Sequence, residues 1–598
     1  MADGEADGEA DGEAGEERLF LRRSGEDRGP SLVERIGDRL AEAGFRSPLH
    51  RMRLKGRFPL KLLAVPVDPV PGDPDRGARL AAGRLFHSGY GVPLSSGALD
   101  SPDAPAPWRR WLHGWGWLRD AAARPPEGPA EAERIERLAR RWLERFPDYD
   151  AEAWAPDVTG RRVLMAIAHA PLLMPRHDHV HRSAVLNGIA RWTRHLEQAV
   201  RRLPDGLPRL EAVAGLLGGA LLLPGQDERQ ARAEAMLAPL LSALLDDEGV
   251  AALRGPLELG AVGDLLLLLA AFYAARGLNE GAAVAGGLEA VRRRLGALAM
   301  GGGQVSPWHG GAPSPAQLAR LGVRPCGGPV LSGGFVRLEA GATVVVMDAG
   351  PPPAARQALA PHASTLAIAV ADGGAPLLVS CGGAFATAPD GIAALALPQA
   401  LAEGLRATAA HSALVLADTN STPLAGSGAR RRGGVEEVAI ERRSGPEGQL
   451  VEAVHDGYRG RFGFLHRRRL WLAADGADLR GEDVLLPAPG LRRIGAGEPL
   501  PLAIRFHLAP GTVVSLTGAG DGALVRLAGA RPREAAAWAL RCRLPEGFHL
   551  RIEPSIAVDW QGEVRPTNQL VIAGSVTRVH LPAIPWAFRR QSRGSAHG

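Results

Sequence analysis

Residues 334–350, GFVRLEAGATVVVMDAG, decide the class of fold. Val336 and Leu338 alternate with charged neighbours, and a second apolar run follows the turn at Gly341. A period of two interrupted by a turn predicts a β-hairpin. Similar short runs follow, separated by Gly, Asp and Pro: STLAIAV, APLLVSC, SALVLAD, RFGFLHRRRLWLA and PLAIRFHL. Regular short strands at this spacing predict an antiparallel β-sandwich over residues 326–590.

Upstream of residue 300 the hydrophobic period is helical. In EAERIERLARRWLERF, Ile135, Leu138 and Trp142 recur at three- and four-residue steps, with charges on the other face. Successive amphipathic helices must pack on one another, as a bundle, a solenoid or a closed toroid. Helices first and strands second predict two segregated domains, 31–300 and 326–590, joined by a glycine-rich loop at 301–325, and exclude a parallel α/β sheet.

The composition indicates a soluble globular protein without a nucleic-acid partner. The net charge of the 598 residues is +5, but the basic residues are almost all arginine, with Lys55 and Lys61 the two lysines. Together with 76 glycines and 48 prolines, this skew is typical of a GC-rich genome and not of a basic binding face. Arginine still suits acidic ligands, because its planar fork matches carboxylate and sulfate groups.

The two ends of the sequence, its apolar runs and its cysteines argue against several classes of protein. The start repeats ADGE three times and carries no base, unlike a secretory signal, so residues 1–30 are predicted to be a disordered acidic tail, as are residues 591–598. The longest apolar runs, such as the one at 265–275, are too short to cross a bilayer, and we expect no membrane insertion. Three scattered cysteines form neither a disulfide framework nor a zinc motif, and no cofactor is expected.

Four polar clusters in the strand half are candidates for chemistry. They are His362 in PHAS, Arg406 and His411 in LRATAAHS, Tyr458 in HDGY, and the histidine of LHRRRL. Each can equally be structural, since HDGY also fits a turn. HDHVH at 177–181 suggests a metal cluster or a solvated loop. Phosphate-binding loops, HExxH and a nucleophile elbow are not found.

The order of several segments resembles the heparinase II/III family of polysaccharide lyases. The matching pieces are VPVDPVPGD, WLHGWGWLRD, AWAPDVTGRRV, PHASTLAIAVADG, TAAHSALVLADT, EAVHDGYRGRFGFLHRRRLWL, GEDVL and IRFHLAP. The resemblance implies an N-terminal α/α toroid, a C-terminal antiparallel β-sandwich, and a cleft between them for an acidic polysaccharide. It also implies β-elimination at a uronic acid, and a periplasmic or envelope location, although without a visible signal the cytoplasm stays open.

The resemblance also assigns roles. In this resemblance His362 aligns with the family's catalytic histidine, and His411 aligns with a second histidine. The helical loop that carries a catalytic tyrosine in the family has no tyrosine here, and Glu258 lies near that position. Arg209 lies near the position of the family's asparagine. Ser380 stands where metal-binding relatives have an aspartate, so no metal is expected. The candidate catalytic residues are His362, His411, Tyr458 and Glu258, and the candidate substrate-binding residues are Arg209, Arg406, Trp308 and His309. Tyr458 and Arg406 come from the polar clusters named above. Trp308 and His309 lie in the interdomain loop, where they could contact a sugar ring, the indole by stacking, or could equally only pack the domain interface.

Two functions from different classes follow from this resemblance. The first is a lyase-like protein that cleaves uronate-containing glycans by proton transfer at His362. The alternative is a catalytically weak or inactive glycan-binding protein of envelope polysaccharide assembly. A third possibility, glycoside hydrolysis, needs two facing carboxylates, and the sequence identifies no such pair.

Overall fold

A computed structural model describes residues 17–23, 31–56, 61–94, 97–174, 178–246, 252–354, 358–424, 433–489, 498–527 and 536–591. Within these ranges the first half is helical and the second half is built from strands. The predicted fold class, a helical toroid followed by an antiparallel β-sandwich, is confirmed.

The helices of the first half occupy most of the predicted helical stretches. They are α1 (Leu32–Arg46), α2 (Pro48–Leu54), α3 (Pro74–Ala81), α4 (Ala106–His113), α5 (Trp117–Ala123), α6 (Pro129–Arg145), α7 (Pro156–Ala168), α8 (Ala170–Leu173), α9 (His179–Ala199), α10 (Leu207–Leu222), α11 (Asp227–Leu245), α12 (Pro256–Ala275), α13 (Ala282–Ala297) and α14 (Pro315–Leu321). Two short helices, α15 (Gln399–Gly404) and α16 (Arg459–Phe462), lie among the strands.

Local chemistry fixes where these helices begin and end. Ser31 accepts the N–H of Glu34 while the Glu34 carboxylate accepts the N–H of Ser31, and this reciprocal cap starts α1. Proline occupies the first turn of α7, α10 and α12, where a missing N–H costs nothing. Gly277 follows α12 with φ of 66°, the left-handed conformation that ends a helix.

The strands form three larger sheets and two hairpins. Their bounds are β1 (Glu17–Arg22), β2 (Arg84–His87), β3 (Tyr90–Pro93), β4 (Val330–Ser332), β5 (Phe335–Ala340), β6 (Thr343–Asp348), β7 (Ile368–Asp372), β8 (Ala375–Leu378), β9 (Phe385–Ala388), β10 (Gly391–Ala394), β11 (Leu414–Leu416), β12 (Glu437–Gly445), β13 (Gly448–His455), β14 (Phe464–Ala473), β15 (Asp478–Pro487), β16 (Leu500–His507), β17 (Val513–Leu516), β18 (Gly522–Arg526), β19 (Ala537–Cys542), β20 (His549–Val558), β21 (Val564–Val576) and β22 (Ile584–Arg590).

All sheets pair in antiparallel fashion. The nine-stranded sheet runs β1-β12-β13-β14-β15-β22-β19-β18-β17, the five-stranded sheet runs β4 to β8 in order, and the four-stranded sheet runs β11-β16-β21-β20. The predicted hairpin in residues 334–350 is β5 and β6, with Ala340 paired to Thr343 across the turn.

The five-stranded sheet carries the contact between the two domains. Val344 and Val346 on one face of β6 belong to the hydrophobic core of the helical domain. Val345 and Met347, on the other face, belong to the core of the sandwich. Both faces of β6 are therefore buried, which explains its uninterrupted apolar run.

Three elements depart from the sequence prediction. β1 pairs with β12 along Glu17–Arg22, so the prediction of a disordered tail over 1–30 is wrong for this strand. The β2–β3 hairpin lies within the predicted helical region, and α14 within the predicted interdomain loop. These short elements lack the repeated hydrophobic period on which the prediction rested. The domain boundaries themselves stay predictions, and residues 592–598 lie outside the described ranges.

Among the helices of the described ranges, α12 is long and apolar enough to cross a membrane by length and composition, so the expectation that its apolar run at 265–275 is too short is wrong for the whole helix. Its most apolar window is 72% buried inside the protein. Because other helices and the start of the sandwich surround it, α12 is the central core helix of the helical domain.

Candidate functional site

A cleft lies between the helical domain and the β9–β10 hairpin. Its volume is about 410 Å³, and helices α4, α5, α7, α10 and α12 form most of its wall. Its apolar lining includes Trp111, Leu164, Met165, Leu265, Phe385 and Ile392. Its titratable lining residues are His87, Arg110, Arg119, Arg161, Glu211, Glu258, Asp264 and Asp390.

A close helix crossing positions the central charged pair of this cleft. A Cβ at Gly160 of α7 would lie 2.3 Å from the Glu211 carbonyl oxygen, and one at Gly215 of α10 would lie 2.2 Å from the Gly160 Cα. Only glycine at both positions allows the backbones to approach so closely. The crossing brings Arg161 of α7 against Glu211 of α10, with 3.1 Å between Nε and Oε1.

The arginines of the cleft are already neutralised by carboxylates. Glu211 binds both Arg110 and Arg161, and Arg110 also binds Asp157. Arg119 binds Asp68 at 2.7 Å.

The acidic residues on the opposite wall are neutralised as well. Asp264 binds Arg320 at 2.9 Å, and Asp390 lies 3.0 Å from His87 Nε2. Although burial raises the pKa of Asp390, the hydrogen bond from His87 and the nearby arginines hold it below its usual range. The described residues that line the cleft include three arginines, Arg110, Arg119 and Arg161. They also include three carboxylates that have a basic partner, those of Glu211, Asp264 and Asp390. The wall of the cleft therefore carries no excess positive charge.

Glu258 differs from the other carboxyl groups of the cleft. It lies in the first turn of α12, where Oε1 accepts the N–H of Leu359 at 2.8 Å. Oε2 is buried and has no hydrogen-bond partner among the described residues. Burial raises the pKa of Glu258 to about 8, although the Leu359 N–H opposes this. Glu258 is therefore a neutral carboxylic acid at pH 7.

Four of the predicted residues meet in a buried cluster behind the cleft. His362 Nδ1 lies 3.2 Å from His411 Nε2, and the His362 backbone N–H donates to His309 Nδ1 at 3.2 Å. The Trp308 ring stacks on His411 with centroids 6.2 Å apart. Ser380, the residue in the aspartate position, lies 2.9 Å from His411 Nδ1.

Two histidines of this cluster, His362 and His411, are held neutral. Burial, together with the neighbouring His411, lowers the pKa of His362 well below its usual value. Burial and the charge of His309 lower the pKa of His411 to about 3. His362 Nε2 is buried without a hydrogen-bond partner among the described residues, and none of these three histidines lines the cleft.

An ion pair between the domains supports the cluster. Arg254, which precedes α12, binds Asp348 at the end of β6 and donates to the carbonyl oxygens of Gly333, Gly334 and Pro351. His309 Nε2 lies 3.3 Å from Asp348. Although burial raises the pKa of Asp348, the charges of Arg254 and His309 hold it below its usual range.

The remaining predicted residues are not in the cleft. Arg406 Nε donates to the carbonyl oxygen of Pro361 at 3.1 Å and so supports the His362 loop from behind. Arg209 binds Asp205 one turn earlier and does not line the cleft. Tyr458 is buried in the sandwich core, where its hydroxyl donates to the carbonyl oxygen of Leu414 at 2.9 Å. Arg209 and Tyr458 therefore do not line this cleft.

The predicted HDHVH cluster is the beginning of α9. Asp178 caps the helix by accepting the N–H of His181 at 2.8 Å, and His177 lies outside the described residues. Nowhere in the described ranges do three His, Cys, Asp or Glu side chains form a group that could hold a metal ion.

Sequence reasoning missed most residues that line the cleft. Trp111 and Arg161 lie inside segments that carried the family resemblance, but no motif marks either of them as a site residue. The signal that could have found them is the Gly160 and Gly215 pair, because glycine in a helix interior indicates a close backbone approach.

A helical toroid packed on an antiparallel sandwich, with a cleft at the junction, defines the class of heparinase-like proteins. The model of the family described as "Heparinase II/III-like, C-terminal" matches residues 323–592. The chain belongs to the heparinase II/III family.

Its relatives fall into two groups. FtsZ-localized protein C of Caulobacter vibrioides (strain NA1000 / CB15N) is 30% identical over 573 residues, which cover 91% of this chain and 93% of that protein. Heparinase III is 11% identical with a TM-score of 0.64, covering 94% of this chain and 93% of that one. The heparan sulfate lyase HepC of Pedobacter heparinus is 13% identical with a TM-score of 0.60, covering 87% and 82%. The two solved structures share the fold.

Proposed function

We propose that this protein acts at an FtsZ assembly as a binding protein, and that its heparinase fold does not perform uronate β-elimination. The observation that carries the proposal is the 30% identity with FtsZ-localized protein C along nearly the full length of both proteins. The lyases of the same fold share only 11–13% of their residues with this chain. Localisation at FtsZ is part of the proposal, and the periplasmic location expected from the lyase resemblance stays a prediction.

The chemistry of the cleft supports a binding function. Uronate β-elimination needs a cation, an amide or a protonated carboxyl to neutralise the sugar carboxylate, a base for the C5 proton and an acid for the leaving oxygen. The cleft arginines are neutralised by Glu211, Asp68 and Asp157, so none of them is free for a substrate carboxylate. Glu258 holds its proton at pH 7, which makes it an acid and not a base.

The proton-transfer groups are also poorly placed for that reaction. His362 is fully buried beside His411, and its low pKa gives it little basicity. Among the described residues that line the cleft there is no tyrosine. A buried, weakly basic histidine without a phenol partner at the cleft does not provide the base and acid of β-elimination.

Co-sedimentation tests the FtsZ proposal. The purified chain is mixed with FtsZ under polymerising and non-polymerising conditions and centrifuged, and we expect it in the pellet only with polymer. In cells, a fluorescent fusion should follow the position of FtsZ and disperse when FtsZ is depleted. A chain that stays in the supernatant with polymer and is uniformly distributed in cells would contradict the proposal.

Lyase activity on an acidic glycan is the second candidate function. The observation that favours it is the buried, unpartnered Nε2 of His362, three residues from the Leu359 backbone that binds Glu258. The assay follows the ultraviolet absorbance of a 4,5-unsaturated product on a panel of uronate glycans. We expect no signal, and a signal that His362→Ala abolishes without unfolding the protein would establish the lyase instead.

A further inference from the structure

The turn between β2 and β3 places a serine hydroxyl against a histidine ring. Ser88 and Gly89 form this turn, and His87 pairs with Tyr90 across it. Ser88 Oγ lies 2.8 Å from His87 Nδ1. His87 is buried and lines the cleft, whereas Ser88 is half-buried. The hydroxyl group therefore lies at the edge of the cleft, in contact with a ring of its wall.

A carboxylate from the sandwich domain completes this pair. Asp390 lies in the turn of the β9–β10 hairpin, and its two carboxylate oxygens are 3.0 and 3.2 Å from His87 Nε2. The hydrogen bond from His87 and the nearby arginines hold the pKa of Asp390 below its usual range, so this carboxyl group is ionised. A serine, a histidine and a carboxylate thus follow one another in the order of a nucleophile, its base and the group that orients the base.

The carboxylate also fixes which nitrogen of His87 carries the proton. An ionised carboxylate can only accept hydrogen bonds, so Nε2 donates to Asp390 and Nδ1 keeps its lone pair. Ser88 then donates its hydroxyl proton to Nδ1. The His87 ring stacks on Trp111, with centroids 5.1 Å apart and planes inclined by 15°, which prevents it from turning away. This is the arrangement in which a histidine removes the proton of a serine.

The backbone of Ser88 is in a conformation that a serine rarely adopts. Its φ is 48°, and that of Gly89 is 74°. A two-residue hairpin turn with positive φ at both positions favours glycine, asparagine and aspartate. Strained backbone of this kind concentrates at functional sites. Glycine would suit the position of Ser88 better, so the feature that serine adds there is the hydroxyl group against His87.

A second serine in the chain lacks the carboxylate of this arrangement. Ser555 Oγ lies 2.7 Å from His507 Nδ1, but His507 Nε2 donates to the uncharged carbonyl oxygen of Ala409 at 2.9 Å. Burial lowers the pKa of His507 to about 4, although the Ala409 carbonyl opposes this, and such a histidine is a weak base. Ser88 is therefore the better candidate for an activated serine, and Ser555 is an internal comparison.

The wall of the cleft decides the class of substrate. Its arginines are bound to carboxylates, so an anionic substrate gains no charged partner. Apolar side chains, among them Trp111, Leu164 and Phe385, form the rest of the wall near His87 and Asp390. Serine nucleophiles act on acyl groups. An uncharged ester with an apolar acyl group fits both the wall and this nucleophile.

We propose that Ser88, His87 and Asp390 form a nucleophilic serine site that hydrolyses uncharged carboxylic esters. Ser88 Oγ bonds to the acyl carbon while its proton moves to His87 Nδ1, and successive N–H groups in the turn can donate to the oxyanion. The bond to the alcohol oxygen then breaks, and the alcohol leaves with that proton. Water attacks the acyl-serine and gives one proton to His87, which returns it to Ser88 as the carboxylic acid departs. The proposed reaction is independent of FtsZ binding.

A fluorescent fluorophosphonate tests this site on the full chain. Its phosphorus takes the place of the acyl carbon, so Ser88 Oγ displaces fluoride while His87 accepts the hydroxyl proton. We expect tandem mass spectrometry to find the label on Ser88. Turnover is measured in parallel as nitrophenolate released from p-nitrophenyl acetate and p-nitrophenyl butyrate.

Ser88→Gly separates the reaction from stability. Glycine adopts the positive φ of this turn readily, so the variant should have a thermal midpoint close to that of the wild type. It should nevertheless lose the label, and its release of nitrophenolate should fall to the background rate of the buffer. His87→Gln should lower the labelling rate at least about hundredfold, because the base is lost.

Asp390 is a positioning residue, and two variants test its role. Asp390→Asn keeps the size of the side chain but no longer fixes the tautomer of His87, so labelling should slow at least about hundredfold. Asp390→Glu keeps a carboxylate and should recover part of this rate. A purely structural role would instead change the thermal midpoint of both variants without separating their labelling rates.

Ser101→Ala is the matched control. Ser101 is half-buried like Ser88, but its hydroxyl donates to the carbonyl oxygen of Ala98 at 3.1 Å and not to a histidine. This variant should be labelled at the wild-type rate.

Three results would overturn the proposed site. The first is a folded wild type that takes no label and releases nitrophenolate no faster than Ser88→Gly. The second is a label on another residue, Ser555 included, with Ser88 unmodified. The third is labelling of Ser88→Gly at the wild-type rate.

Discussion

Replacing Glu258 by glutamine should stabilise the protein progressively as the pH rises. The buried carboxyl has its pKa raised from 4.5 to about 8 in the folded state, so between these values the unfolded chain releases a proton that the folded chain retains. Stability is therefore lost as the pH rises through this window. Glutamine is isosteric and cannot ionise, so the variant lacks this loss.

The magnitude follows from about 1.36 kcal/mol for each pKa unit of difference. The advantage of Glu258→Gln should be about 1 kcal/mol at pH 5, about 3 kcal/mol at pH 7, and about 5 kcal/mol above pH 8, where it levels off. Urea unfolding of both proteins at pH 5, 6, 7, 8 and 9, followed by tryptophan fluorescence, measures the difference.

A matched control separates this effect from a general effect of removing charge. Glu228 lies in the first turn of α11 with its side chain 92% exposed, so Glu228→Gln should change the free energy of unfolding by less than about 0.5 kcal/mol at every pH. A constant difference between wild type and Glu258→Gln from pH 5 to pH 9 would refute the assignment of a neutral Glu258.

Three further substitutions test the packing around the site. Asp348→Ala leaves Arg254 buried without its carboxylate and should cost about 3–5 kcal/mol, measured by urea unfolding; a cost below about 1 kcal/mol would contradict this. Tyr458→Phe removes one buried hydrogen bond and should lower the free energy of unfolding by about 1 kcal/mol without altering the binding of an acidic glycan. Loss of glycan binding with unchanged stability would instead indicate that Tyr458 belongs to the glycan site. Gly160→Ala forces a Cβ against the Glu211 carbonyl and should lower the thermal midpoint by at least about 4 °C; an unchanged midpoint would contradict the close crossing.

Each half of the fold was predictable because a single hydrophobic period repeats over a long stretch, helical in the first half and two residues in the second. Val336 and Leu338 indicated the sheet that joins the domains, and Ile135, Leu138 and Trp142 face the helical core as their spacing predicts. Short elements such as β1 were not predictable, because a six-residue strand is stabilised by its pairing with distant β12 and not by its own sequence.

The site was only partly predictable, because contact between distant segments decides it. His309, His362 and His411 span 102 residues of sequence, and their contact in the folded protein cannot be derived from local sequence. Arg209 and Glu211 lie two positions apart on α10 and therefore face different directions, and it is Glu211 that lines the cleft. The prediction for Tyr458 rested on the HDGY motif, and the local sequence does not distinguish a structural turn from a functional loop there.

The buried histidine cluster stabilises the junction between the two domains independently of any catalytic role. Arg254 reaches from the helical domain to Asp348 on β6, and Asp348 contacts His309, which in turn holds the His362 loop. Removing any member leaves a buried polar group without its partner, at a cost of about 1–3 kcal/mol for a neutral group and more for a charged one. The same residues therefore join the two domains whether or not a substrate reaches them. Their presence in the sequence is evidence for this domain junction, and the paired charges of the cleft wall are the evidence that bears on catalysis.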